Sequence, residues 1–149
     1  MRKYFEDFRA GEIIECGRRT VTRDAIIAFA TEYDPQPIHI DEAYASKTPF
    51  GDIIASGLHM LGICMRQAVD TFLKDAVNLG SPGTESIRFP KPLKPDRTVR
   101  VTAKVLHTRL SQSKPGRGNV KFALELHDER DGLLSEWVTT TIFACRPKT

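Results

Sequence analysis

The residues best placed to do chemistry are an acid and an imidazole, Asp34 and His39, which stand five positions apart. Pro35 and Pro37 lie between them. Each proline removes a backbone donor, fixes φ at about −65° and biases the residue before it toward extended geometry. We therefore expect a stiff, non-repetitive link that directs both side chains at one point. A carboxylate and a histidine that meet at one water molecule form a general acid–base pair.

A second interpretation of the same segment is purely structural. In that case Asp34 only ends a helix, and His39 is an ordinary surface or core histidine in a Pro-rich turn. The elements on either side must therefore be considered before a choice between the two is made.

Helices are predicted on both sides of the pair. Thr22 can cap a first helix, which must end before Pro35. Asp41 can cap a short second helix that reaches residue 46. The longest predicted helix covers about residues 56–73, where apolar side chains recur at steps of three and four. Because it is apolar over much of its circumference, we expect it to be buried on most sides.

Strands are predicted from a hydrophobic pattern that changes to a period of two beyond the turn cluster at residues 80–83. Short connections join neighbouring strands, which favours antiparallel pairing. The predicted order along the chain is one strand, two helices, one long helix and then four strands. This order indicates an α+β domain. A sheet wrapped around the long helix is a hot-dog fold, and we expect a single one in residues 1–149. The clearest strands are at residues 12–22, 98–106, 119–127 and 136–145, with connections at 113–118 and 128–132.

The composition excludes several classes of protein. The 149 residues, 40% hydrophobic and 28% charged, suit one folded domain rather than a disordered chain. The net charge of +3 is mild, and no basic cluster with interleaved aromatic residues indicates nucleic-acid binding. No segment approaches the roughly 20 apolar residues of a membrane span, and the first residues lack the apolar run of a signal peptide.

The three cysteines, Cys16, Cys64 and Cys145, are odd in number and lack the CxxC spacing of a zinc site. They favour a reducing compartment, and the cytoplasm is the expected location. His39 and Asp41 have no further cluster of potential ligands around them, so no metal site is predicted.

Three segments resemble one family, the MaoC-like dehydratases and (R)-specific enoyl-CoA hydratases. The family signature has Asp, any residue, Asn-Pro, an apolar residue and His, and residues 34–39 read Asp-Pro-Gln-Pro-Ile-His. Gln36 stands where Asn is usual, and Tyr33 where Gly is usual. Residues 49–60 resemble the segment that opens the family's central helix, with Ser56 where His is frequent. Residues 87–96 resemble its Arg-Phe-x-x-Pro-Val-x-Pro-Gly-Asp element.

The resemblance implies the hot-dog fold and an enzyme of fatty acid metabolism. Such an enzyme interconverts a 2-enoyl thioester and a 3-hydroxyacyl thioester of coenzyme A, with R configuration. Asp34 and His39 would hold the water. Gly57 would offer a backbone N–H at the positive end of the helix dipole as an oxyanion hole, with no Cβ to obstruct the ligand. The other candidate substrate contacts are Tyr33, Ser56, His59, Arg88 and Lys91.

Several of these residues also have structural interpretations. Gly57 can serve helix–strand packing, and Ser56 fits an N-cap better than a nucleophile. His59 either lines the pocket or has a structural role. Tyr33 either narrows the acyl pocket or hydrogen-bonds the water. Arg88 and Lys91 are candidates for the phosphates and pantetheine of coenzyme A, or are solvated surface charges, the more frequent case.

No cofactor is expected beyond the coenzyme A of the substrate, because no Gly-rich phosphate loop is present. Since double hot-dog members of the family carry both halves in one chain, this chain is expected to form a homodimer or a dimer of dimers. Two other functions stay open: a hot-dog acyl-CoA thioesterase, and a non-catalytic acyl-CoA-binding subunit. The carrier, coenzyme A or acyl carrier protein, also stays open.

Overall fold

Side-chain caps mark the start of three of the four α-helices. The computed structural model describes residues 1–149 and contains four α-helices and five strands. Thr22 accepts a hydrogen bond from the N–H of Ala25 at 3.1 Å, and Asp41 accepts one from Tyr44 at 3.0 Å. Both caps were predicted and are confirmed. The α-helices are α1 (Arg23–Tyr33), α2 (Pro37–Ile40), α3 (Glu42–Ser46) and α4 (Gly57–Thr71).

All five strands form one antiparallel sheet with the order β1-β3-β4-β5-β2. The hairpins that join β3 to β4 and β4 to β5 confirm the predicted connections. The strands are β1 (Ile13–Val21), β2 (Gly83–Arg88), β3 (Arg97–Leu110), β4 (Arg117–Asp128) and β5 (Gly132–Ala144).

The sheet wraps around α4, which confirms the α+β hot-dog fold. Buried residues of the helix, among them Met60, Ile63 and Cys64, share one hydrophobic core with the inward side chains of the central strands. Burying this apolar surface stabilises the domain by roughly 25 cal/mol per Å² removed from water. The core therefore fixes the position of the helix, including its first turn. No helix has both the length and the apolar character needed to cross a membrane.

The prediction that α4 is buried on most sides is wrong for the single chain. Leu58 is 57% exposed and Met65 36% exposed, because the sheet covers only one face of the helix. The opposite face exposes Leu58 and Met65 beside the Arg66–Asp70 ion pair, and the sheet does not cover it.

A β-bulge in β1 is hydrogen-bonded to a side chain of α4. The register of β1 against β3 shifts between Glu15 and Arg18, and Gly17 has a positive φ of 81° that favours glycine. Gln67 of α4 donates from Nε2 to the carbonyl oxygen of Cys16 at 2.9 Å in a buried contact. The buried amide therefore satisfies a carbonyl at the irregularity of the strand.

Gln67→Leu is expected to lower the free energy of unfolding by about 1–3 kcal/mol, because it leaves a buried acceptor without its donor. Urea unfolding followed by circular dichroism measures the change. Arg66→Leu is the control: Arg66 is exposed and pairs only with Asp70, so a change under about 0.5 kcal/mol is expected. Equal midpoints for the two variants would contradict the structural role of Gln67.

Candidate active site

The fold brings Asp34 and His39 together. Asp34 directly follows α1, His39 lies in α2, and Oδ2 of the acid is 3.3 Å from Nε2 of the imidazole. The expected non-repetitive link holds for residues 34–36 but is wrong from residue 37 onward, where one helical turn forms. Pro37 is the first residue of that turn, a position whose N–H has no intrahelical partner, so proline is well tolerated there.

The second ring nitrogen of His39 fixes the orientation of the imidazole. Nδ1 lies 2.7 Å from the carbonyl oxygen of Ile54. A carbonyl oxygen only accepts, so Nδ1 carries a hydrogen and Nε2 is left to face Asp34. Because the side chain is only 9% exposed, the ring is held in place. Nε2 is therefore the atom that can exchange a proton in the cleft.

Two side chains hold the carboxylate of Asp34. Ser56 donates from Oγ to Oδ2 at 2.7 Å, and Gln36 donates from Nε2 to Oδ1 at 2.6 Å. These hydrogen bonds, first that from Ser56 and then that from Gln36, hold the pKa of Asp34 below its usual range; partial burial opposes them, and His39 lowers the pKa further. The carboxylate is therefore ionised at neutral pH and can accept a proton.

The start of α4 lies beside this pair. Ser56 is the N-cap and accepts a hydrogen bond from the N–H of Leu58 at 3.2 Å, which confirms the predicted cap. The N–H of Gly57, the first helical residue, makes no hydrogen bond within the chain. A Cβ on Gly57 would lie 2.6 Å from the Phe89 ring, so the ring packs directly against the bare Cα. The site thus combines an acid–base pair with a free donor at a helix N-terminus.

These groups share one cleft of about 390 Å³. Asp34, Gln36, His39 and Gly57 line it, and Lys91 lies on its wall with Nζ donating to the carbonyl oxygen of Asp131 at 2.6 Å. A larger cleft of about 520 Å³ beside residues 74–78 contains no histidine and lies away from this chemistry. The apolar part of the candidate site comes from Phe50, Ile54, Ala55, Met60, Phe89 and Pro92.

Four of the predicted substrate contacts lie outside the lining of this cleft, among them Ser56, which is fully buried and donates to Asp34. Tyr33 is 62% exposed and packs against Phe29. His59 stacks on Phe29, with ring centroids 4.6 Å apart, and burial lowers its pKa. Arg88 ends the edge strand β2 and is exposed. The roles of these residues in substrate binding stay predictions, as does that of Lys91.

Sequence reasoning missed three contributors to the site. The side chain of Gln36 contacts the acid, although the sequence marked this residue only as a departure from the family pattern. Phe50 and Phe89 form part of the wall and fall within the family-like segments, but an aromatic residue alone does not reveal whether it lines a cleft or a core.

Comparison with known proteins identifies the family. Residues 9–124 match the MaoC-like domain. The crystal structure of a MaoC-like dehydratase from Rhodospirillum rubrum is 32% identical, with a TM-score of 0.88 over 98% of this chain and 99% of that one. The 3-hydroxybutyryl-CoA dehydratase of Methylorubrum extorquens is 38% identical over 61 residues, which are 40% of this chain and 38% of that protein.

A more distant structure supports the fold alone. A Mycobacterium tuberculosis protein with a double hotdog fold is 16% identical, with a TM-score of 0.77 over 99% of this chain and 46% of its own length. One copy of the present fold thus matches about half of that protein. Together, the conserved architecture and the match over residues 9–124 show that this chain belongs to the MaoC-like dehydratase family.

Proposed function

We propose that the protein adds water reversibly across a 2-enoyl thioester to give a 3-hydroxyacyl thioester of coenzyme A. The observation that carries this proposal is the convergence of Asp34 Oδ2 and His39 Nε2, 3.3 Å apart, in a cleft that Gly57 also lines. The relative from Methylorubrum extorquens is named as a dehydratase of a coenzyme A thioester, and this supports the same reaction class.

In the hydration direction, a water within reach of both groups attacks C3 of the substrate. Ionised Asp34 accepts a proton from that water, and His39, which in this step starts as an imidazolium with hydrogens on both ring nitrogens, gives the proton on Nε2 to C2. The proton on Asp34 then passes to His39 across their contact, which restores both groups. Dehydration is the reverse. Positioned acid–base groups of this kind typically accelerate a reaction by about 10² to 10⁴.

The thioester carbonyl oxygen gains negative charge as the enolate-like state forms. We propose that it accepts a hydrogen bond from the N–H of Gly57, which has no other partner and lies at the positive end of α4. A donor aimed at a developing oxyanion is often worth about 3 kcal/mol in the transition state. Lys91, on the cleft wall, is the candidate to contact the phosphates or pantetheine of the carrier.

An assay with crotonyl-CoA separates hydration from thioester hydrolysis, the main alternative for this fold. Hydration removes the enoyl absorbance and releases no thiol, whereas hydrolysis releases free coenzyme A that a thiol reagent detects. We expect the first result, with 3-hydroxybutyryl-CoA as product. Thiol release at the rate of substrate loss would contradict the proposal, as would the absence of turnover across enoyl-CoA substrates of graded length.

We also propose that the protein is a homodimer. The outer face of α4 exposes Leu58 and Met65, and the free edge of β2 exposes Ile87, so a second copy could cover apolar surface on both elements. The double hotdog neighbour, of which one copy of this fold matches 46%, supports such a pairing.

Leu58→Asp is expected to shift the protein from dimer to monomer, because it places a charge in the proposed interface. Size-exclusion chromatography with light scattering measures the mass. Leu110→Asp is the control, since Leu110 is equally exposed, at 58%, but lies at the end of β3. A monomeric wild type, or the same mass for both variants, would refute the interface.

A further inference from the structure

We infer that Gln36 is a positioning residue that fixes both members of the acid–base pair relative to each other. This inference rests on the proposed function. It begins with the backbone of Gln36, whose N–H donates to the carbonyl oxygen of Asp34 at 2.8 Å. Its own carbonyl oxygen accepts from the N–H of His39 at 2.9 Å. One residue thus connects the main chains of the acid and the imidazole.

The side chain of Gln36 adds a third link and distinguishes the two oxygens of Asp34. Nε2 binds Oδ1 at 2.6 Å, while Oδ2 accepts from Ser56 and faces Nε2 of His39. With donors on both oxygens, rotation of the carboxylate breaks two hydrogen bonds. The oxygen that faces the imidazole is therefore set by Gln36 and Ser56 together.

Pro35 and Pro37 restrict the backbone that presents the side chain of Gln36 to Asp34. Pro35 fixes the backbone immediately before Gln36, and Pro37 biases Gln36 itself toward the extended region, where it is found at φ −70° and ψ 141°. Since the backbone is already restricted on both sides, only the side-chain torsions of Gln36 remain to be ordered when Nε2 binds the carboxylate. Gln36 is exposed, so its contact with Asp34 is not a product of core packing.

The chemical consequence is that Gln36 favours the ionised form of Asp34, the form that accepts the proton of water. A hydrogen bond to a charged acceptor stabilises the charge, and its removal raises the pKa of the acid. Because activity requires the ionised carboxylate, the acid limb of the pH profile must then move to higher pH. A change that adds a hydrogen-bond donor to Asp34 would lower the pKa of the acid and move the acid limb to lower pH.

Gln36→Met tests the inference, because methionine has nearly the same shape and no donor. We expect the acid limb of kcat/KM for crotonyl-CoA to move up by roughly one pH unit. kcat should fall by about 10- to 100-fold through misplacement of the acid, with KM changed by less than about threefold. Gln36→Glu, which replaces the donor by a charged acceptor, should shift the limb further, and Gln36→Asn should restore part of kcat by returning a donor.

A titration of the Asp34 carboxylate by ¹³C NMR provides a readout that does not depend on turnover. The midpoint should rise in Gln36→Met relative to wild type, and Gln67→Met, a change of the same type on α4, should leave it unmoved. An unchanged midpoint and acid limb would overturn the inference, and so would a raised KM with an unmoved pH profile, which indicates a substrate contact instead. If the wild type hydrates no enoyl thioester, the proposed function fails, while the titration still decides the role of Gln36.

Discussion

Asp34→Asn and His39→Asn should each lower kcat/KM for an enoyl thioester by about 10² to 10⁴-fold. Asparagine at position 34 keeps the size of the side chain but cannot accept a proton. It also offers a single acceptor to two donors, Gln36 and Ser56, so one of their hydrogen bonds is lost. Expressed as free energies, the loss of catalytic rate should therefore exceed the loss of folding stability.

The substitution at His39 is chosen to separate catalysis from structure. The amide of asparagine can still donate to the carbonyl oxygen of Ile54, which Nδ1 of His39 approaches in the wild type, but it has no group at the position of Nε2. A folded, inactive His39→Asn protein would therefore indicate that Nε2 is required.

The measurement is initial rates with crotonyl-CoA, accompanied by thermal unfolding of each variant. Asp41→Asn is the matched control: it is the same change two residues beyond His39, at the N-cap of α3, where asparagine also caps well. The double variant should be little worse than either single one, because the two groups act as a unit. Wild-type rates in both single variants would show that the pair was wrongly assigned.

Gly57→Ala is the second change with a large expected effect, a fall in kcat of about 10²-fold. The new methyl group would occupy space next to the N–H that is proposed to bind the carbonyl oxygen, and it would meet the Phe89 ring at 2.6 Å. Alanine is the better helix former by about 1 kcal/mol, so loss of α4 is not the expected cause.

Two further variants distinguish the reasons for that loss. In Gly57→Ala with Phe89→Ala, the collision with the ring is removed while the methyl group remains; we expect activity to stay low. Gly62→Ala is the control on the same helix, since nothing lies within 4 Å of its added Cβ, and it should keep full activity. Recovery in the double variant would assign the effect to displacement of Phe89, and a fully active Gly57→Ala would argue against the oxyanion role.

The parts of the fold that could be predicted from the sequence depend on local signals. Thr22, Asp41 and Ser56 were predicted as caps because each side chain binds a backbone group within a few residues. The central helix was predicted over about residues 56–73 and spans Gly57–Thr71, since its apolar period is set by the core it faces.

The parts that could not be predicted depend on geometry rather than on pattern. Two prolines suggested that no helix forms around His39, but one proline at the first helical position favours α2. β2, an exposed edge strand, lacks the alternation of a half-buried strand. The contact of Phe89 with Gly57 joins residues far apart in the chain, so only the assembled fold reveals it.

One hydroxyl group belongs both to the scaffold and to the catalytic apparatus. Ser56 Oγ accepts from Leu58 at the first turn of α4 and donates to Asp34. Fraying of that turn would release the acid in the same event, long before the sheet opens. Inactivation on heating should then follow amide hydrogen exchange at this helix tip rather than the global melting transition.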